Sequence, residues 1–305
     1  MPQKARISFQ DQITKNKIKS VILMVTIFIF FIIFGFIIAL VLDPSYFFIV
    51  MIFSIIFSLS YTLISYYNSD KIALKSVGAV LASHSQYKQY HDSAENMALA
   101  SGLPKPRLYV MKSSEINAFA SGRNPQKAVM CFTTGALERL NKQELEGVIA
   151  HEMAHIANYD MRFMTVATVM IGLISIIAEL FLRSLWFSNI GNDNKDGRVQ
   201  IALILIGVFF AILAPIAANL VSLAISRKRE YLADSTGVKL TRYPPGLANA
   251  LKKIKSEHIS EKERKHRFAK ALAPLFISDP FKRNIKGLFA THPPIEERIR
   301  RLEAM

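Results

Sequence analysis

Apolar positions crowd into four blocks along this chain. Residues 21–42 hold no charged side chain over 22 positions, and about 20 apolar residues are enough to cross the hydrocarbon core of a bilayer as a helix. Asp43, Pro44 and Ser45 make a polar turn, and residues 46–64 return as a second uncharged span. Together they predict a helical hairpin in a membrane. A signal peptide has a shorter apolar core and a small-residue cleavage site, which fits poorly. The third block runs from Met164 to Phe187 and contains Glu179 and Arg183, spaced to pair on one helix face. The fourth, 200–226, is apolar apart from Asn219 and a few hydroxyls. Pro215 is expected to kink it, which membrane bundles tolerate.

Between and after these blocks the pattern changes. Residues 106–111, 116–121 and 128–133 read as three short strands separated by turn residues. A polar helix is expected over 84–100, ended by Gly102. Asn141, with Glu144 three residues on, is set to form a capping box. Leu145, Val148, Ile149 and Ile156 then recur at helical spacing, so an amphipathic helix is expected over 142–158. Residues 227–237 continue the fourth span as a helix with a stop at Gly237, and another helix starts after Pro293-Pro294.

These readings predict a mainly α integral membrane protein. Four transmembrane helices carry an α+β domain with a small three-stranded sheet. The division is 1–20 as a polar N-terminus, 21–64 as the first hairpin, 65–163 as the first part of the polar domain, 164–226 as the second hairpin, and 227–305 as the second part.

A net charge of +15 raises the question of nucleic acid. Its distribution answers differently. Residues 1–20, 65–163 and 227–305 hold 35 of the 38 Lys and Arg residues, and four spans put all three segments on one side. This is the positive-inside pattern. It predicts cytoplasmic termini and affinity for anionic lipid, with no nucleic-acid partner. The single cysteine, Cys131, excludes an intrachain disulfide and a four-cysteine metal site, and is expected to be a small buried residue.

The chemistry-bearing motif is His151-Glu152-Met153-Ala154-His155. On a helix the two imidazoles at i and i+4 project from one face, where they can share one ion. Glu152 lies on the same side, where it can serve as general base for a water activated by zinc. A catalytic zinc takes three protein ligands and an open position. A third histidine further along the helix is ruled out, because Asn158 and Met161 stand where Gly and His are required. A carboxylate from a second helix is the alternative, and Glu230 supplies it. Asp234, one turn on, can fix an imidazole tautomer. Asn117, in the second strand, can offer its amide to a substrate backbone laid along the sheet edge, or merely cap the strand. His292 precedes the helix that follows Pro293-Pro294 and can point into a cleft. His84, His91, His258 and His266 lack partners at ligand spacing and are expected to be solvated.

With Asn117–Gly122 (NAFASG) and the Thr291–Pro294 run followed by Arg298-Ile299, these motifs resemble the HtpX family, bacterial membrane-bound zinc metallopeptidases related to the CaaX prenyl endopeptidases. The resemblance implies a gluzincin fold with one zinc per chain on His151, His155 and Glu230, and Glu152 as base. It implies a substrate-backbone role for Asn117, and supporting or transition-state roles for Asp234, His292 and Arg298. It further implies cleavage of membrane or misfolded proteins at the cytoplasmic face of the bacterial inner membrane, in quality control under stress. Self-cleavage on adding zinc is a further expectation. Asp160 matches the family pattern, without a physical role beyond a polar anchor. The competing reading is a membrane adaptor or holdase that keeps the fold and cleaves nothing.

Overall fold

The structure, a computed structural model, describes residues 9–41, 44–170, 172, 174, 201, 204–209, 227–256, 275–278 and 293–305. The first apolar block forms α1 (Phe9–Val41), which starts twelve residues before the uncharged run, and the second forms α2 (Phe47–Tyr67). Both are long and apolar enough to cross a membrane. Their outer faces expose large apolar side chains such as Ile22, Phe48, Ile52 and Phe53, a pattern that water does not favour over an area of this size. Between the helices, Gly35 lies directly against Ser54, and Ser58 Oγ donates to the Phe28 carbonyl at 2.9 Å.

The chain then enters the polar domain through α3 (Ser69–Ser76) and β1 (Val80–Leu81), followed by α4 (Lys88–Ser101). Gly102 ends α4 in the left-handed conformation, with φ of 66°. Next come β2 (Arg107–Met111), β3 (Ala118–Ser121) and β4 (Val129–Thr133). The sheet has four strands, in the order β1-β2-β4-β3, and not the expected three. The extra strand, β1, is two exposed residues long, too short to show an alternating pattern. β2 and β4 run parallel with Tyr109 opposite Cys131, and β3 returns antiparallel with Ala120 opposite Met130. Cys131 is buried, as expected, and burial pushes its thiol pKa up.

Helix α5 (Thr134–Arg139) leads into α6 (Lys142–Ala157), which carries the motif. The capping box forms: Asn141 Oδ1 accepts from Glu144 N–H at 2.9 Å, and Glu144 Oε2 accepts from Asn141 N–H at 2.8 Å. The helix is not amphipathic, however. From Gly147 to Ile156 every residue is buried, because other elements pack on all its sides. The sheet and α4 cover one side, α7 (Arg227–Thr241) and α8 (Pro244–Ser256) the others. Two glycines permit this. A Cβ on Gly147 would stand 2.5 Å from Leu247 N, and one on Gly237 would stand 3.1 Å from His151 N. Gly237 therefore does not stop α7, which runs on to Thr241. Its missing side chain is used for close packing, and helical backbone costs only about 1 kcal/mol at such a residue.

Helix α9 (Ile295–Glu303) packs on α7 and α8. The described start of the third apolar block is helical over 160–170 and packs on the hairpin, where Tyr61 Oη donates to the Met170 carbonyl. Phe209, in the helical stretch 204–209 of the fourth block, stacks on Phe30 at 4.6 Å. The rest of these two blocks, including Glu179, Arg183, Pro215 and Asn219, lies outside the described residues.

Candidate active site

Helices α6 and α7 meet along Gly237, and this contact sets the site. His151 Nε2 and His155 Nε2 lie 3.2 Å apart. Glu230, from α7, reaches across with Oε2 at 3.8 Å from His151 Nε2 and Oε1 at 3.6 Å from His155 Nε2. All three side chains are buried, and among the described residues they form the one group of His, Cys, Asp or Glu side chains arranged to hold a metal ion. Zinc with bonds of about 2.0–2.1 Å in tetrahedral geometry has ligand atoms roughly 3.3–3.4 Å apart. The spacings straddle that value, so the donor set fits such an ion.

Each imidazole has its other nitrogen facing a carboxylate. His151 Nδ1 is 2.9 Å from Asp234 Oδ1, and His155 Nδ1 is 3.4 Å from Asp160 Oδ2. A carboxylate at Nδ1 holds the proton there and leaves Nε2 as a lone-pair donor. Asp234 is itself gripped by Arg298, whose Nε and Nη2 donate to its two oxygens at 2.9 and 2.7 Å. Arg298 Nη1 donates to the Ile277 carbonyl at 3.0 Å. Burial alone would raise the Asp234 pKa, but the Arg298 charge and the His151 hydrogen bond hold it well below the usual carboxylate range. Arg298 is buried too, so this is a paired ion inside the protein, as a buried charge requires.

The imidazoles of His151 and His155 differ. Burial lowers the His151 pKa against the pull of Asp234. For His155, burial also opposes the charge, but Asp160, Glu230 and Glu152 together bring it up to about 9. The pKa of Glu152 is raised to about 7, chiefly by burial. His155 lowers it and Glu230 raises it in turn, and the Ala120 backbone of β3, the last strand in the sheet order, also pulls it down, so the prospective base lies beside β3.

The other expected residues fall as follows. Asn117 is buried at the start of β3: its Oδ1 accepts from Ala118 N–H at 3.1 Å, and its Nδ2 donates to the Ser278 carbonyl at 3.0 Å. Beside it Ile277 N–H donates to the Ala118 carbonyl at 2.9 Å, so the chain's own segment 275–278 lines this part of the β3 edge. His292 lies outside the described residues, as do His258 and His266. The His84 and His91 rings lie 4.8 Å apart, tilted by 50°, and His91 Nε2 lies 3.1 Å from the Ala82 carbonyl.

Sequence reasoning missed three contacts at the site. Asp160 faces His155, one of the candidate metal ligands. Arg229 Nε pairs with Asp160 Oδ1 at 3.0 Å, and Asn16 Nδ2 donates to the same oxygen at 2.7 Å. For Asp160 the signal was its position five residues after His155 on the same polypeptide run. For Asn16 no sequence signal existed.

Comparison with known proteins bears on the assignment directly. The profile of peptidase family M48 matches residues 84–305. A protease HtpX homolog of Caldanaerobacter subterraneus is 48% identical over 84% of each chain. One from Dictyoglomus thermophilum is 40% identical over 98% of this chain and 95% of that one. The crystal structure of S. mikatae Ste24p superposes with a TM-score of 0.44 at 19% identity, over 95% of this chain and 65% of that one, a likeness too loose to add to the assignment. The chain belongs to peptidase family M48, in its HtpX branch, and is a membrane-associated metallopeptidase that acts on peptides or proteins.

Proposed function

We propose that this protein is a zinc endopeptidase that cleaves membrane or misfolded proteins at the cytoplasmic face of a bacterial inner membrane. The observation that carries the reading is a buried cluster in which His151 Nε2 and His155 Nε2 lie 3.2 Å apart and each has a Glu230 carboxylate oxygen within 3.8 Å. His151, His155 and Glu230 would hold one zinc per chain, and the ion supplies Lewis acidity for water and for the scissile carbonyl. Glu152 takes the proton of the attacking water and passes it to the leaving amine. Asp234 and Asp160 keep Nδ1 of each histidine protonated, and Arg298 keeps Asp234 ionised.

Asn117 is assigned to the substrate backbone. Its amide already donates to a backbone carbonyl, that of Ser278, the same group a bound peptide would present. A peptide adding to β3 at this register would take the position of the segment 275–278. His292 keeps the transition-state role that the family resemblance implies, and Arg298 a supporting one.

Four membrane helices and cytoplasmic termini are supported by two described apolar helices and by the Lys and Arg distribution. On this reading 65–163 and 227–305 form one domain interrupted by the second hairpin. A role in membrane-protein quality control under stress and self-cleavage complete the proposal. The test uses the full chain purified in detergent with chelator, then supplied with zinc and casein. Cleavage by the wild type, with none by His151→Ala or Glu152→Gln, is expected, and the Glu152→Gln chain should stay whole where the wild type fragments. Casein cleavage by Glu152→Gln at the wild-type rate would overturn the assignment of the base.

A further inference from the structure

Helix α1 begins well before its apolar run, and that polar extension faces the site. Between residues 11 and 20 the described side chains are exposed or half-buried except for Asn16 and Ser20, one turn apart. Ser20 Oγ donates to the Asn16 carbonyl at 2.9 Å. The Asn16 amide uses Nδ2 for two bonds, to Asp160 Oδ1 at 2.7 Å and to the Asn158 carbonyl at 3.0 Å. The next residue, Lys17, places its ammonium 4.5 Å from the centre of the Tyr159 ring. Two adjacent residues of α1 thus touch all three residues of the turn that follows α6.

That turn is unusual. Tyr159 has φ of 57°, in the left-handed region, which costs a non-glycine residue of order 1 kcal/mol and persists only where surroundings enforce it. The bend lets Asp160 face back toward His155, with Oδ2 at 3.4 Å from Nδ1. Its other oxygen accepts from Asn16 on α1 and is ion-paired with Arg229 on α7, the residue next to Glu230. One carboxylate therefore joins the first apolar helix, the histidine helix and the glutamate helix.

We propose that Asn16 is a positioning residue for the metal site: by holding Asp160 and its turn against His155, it makes metal affinity depend on how the first membrane-capable helix is seated. The inference rests on the reading of His151, His155 and Glu230 as zinc ligands. Partners of a metal-binding histidine are worth about 10–100-fold in metal affinity. Asp160 should fall in that range, and Asn16, one bond further out, at about 3–10-fold by the same scale.

The experiment measures zinc dissociation constants of the full chain in detergent, by competition with a chromophoric chelator at one pH. Asn16→Ala, Asp160→Ala, the double variant, and Lys19→Ala as an exposed control on the same extension are compared with the wild type. Asn16→Leu keeps nearly the same shape and removes the amide donor without adding a charge beside Asp160, so it carries the measurement if Asn16→Ala does not fold. The expected result is about 3–10-fold weaker zinc binding for either Asn16 variant. The control should be unchanged, and the double variant no weaker than Asp160→Ala alone. A scaffold role without influence on the metal would instead lower the melting temperature of the metal-free chain and leave zinc binding within twofold of wild type. That outcome overturns the proposal, as does multiplication of the two single effects. A wild type that binds no zinc removes the underlying ligand assignment, and this inference with it.

Discussion

Replacing Arg298 by methionine is the sharpest perturbation of the framework around the site. The substitution keeps an unbranched side chain of similar reach but removes the guanidinium. Three donated bonds go with it: two to Asp234, at 2.9 and 2.7 Å, and one to the Ile277 carbonyl, at 3.0 Å. Asp234 is left buried with His151 as its one remaining partner among those contacts. Removing one member of a buried ion pair costs about 3–5 kcal/mol, because the charge left behind is uncompensated. At roughly 2–4 °C per kcal/mol for a chain of this size class, the melting temperature should fall by about 6–20 °C. The pH sense also follows. A carboxyl whose pKa is depressed in the folded state contributes stability above its unfolded pKa and loses it as pH falls through the folded value. Arg298 is the chief cause of the Asp234 depression, so the variant forfeits that contribution at pH 7. Circular dichroism melts of metal-stripped wild type and variant, in the same detergent, measure the difference. Adding Asp234→Leu to Arg298→Met removes the stranded charge and should restore part of the loss. A shift of less than about 2 °C at pH 7, roughly 1 kcal/mol on that scale, would refute the reasoning.

Other outcomes follow from the same geometry. In Gly147→Ala the added methyl would meet the Leu247 and Gly246 backbone at 2.5–2.9 Å; overpacking of about 1–3 kcal/mol should exceed the helix-propensity gain of about 1 kcal/mol, and a higher denaturation midpoint would contradict this. Glu152 acts as a base only when ionised, and burial raises its pKa to about 7 while a bound cation lowers it. The rate on a fluorogenic peptide should therefore fall on acidification with a midpoint between 4.5 and 7, and a flat profile across that interval would remove Glu152 from the role.

Much of the site was legible because its signals are local. His151 and His155 are one turn apart, as are the Asn141 and Glu144 of the capping box, and the two apolar helices announce themselves by composition. Glu230 followed from the need for a third ligand and from its place one turn before Asp234 on a helix continuing the fourth span. Other features depend on chain segments far apart in sequence. Asn16 and Asp160 are 144 residues apart and Asn117 and Ser278 are 161 apart, and neither pair leaves a trace in spacing. Gly237 shows how local reading fails: a glycine near the end of a helical run is a stop signal, yet here close packing on α6 decides its role. The same packing surrounds α6, so a helix judged amphipathic from four apolar positions proves buried along most of its length.

One ion held by side chains from α6 and α7 underlies the chemistry assigned to this site. Counting zinc atoms per folded chain by mass spectrometry, for the wild type and Glu230→Gln after equilibration with limiting zinc and removal of the excess, tests it most directly. Close to one atom per chain is expected in the wild type, with a large deficit in the variant. Equal occupancy in both, or a folded wild type without zinc, would contradict it.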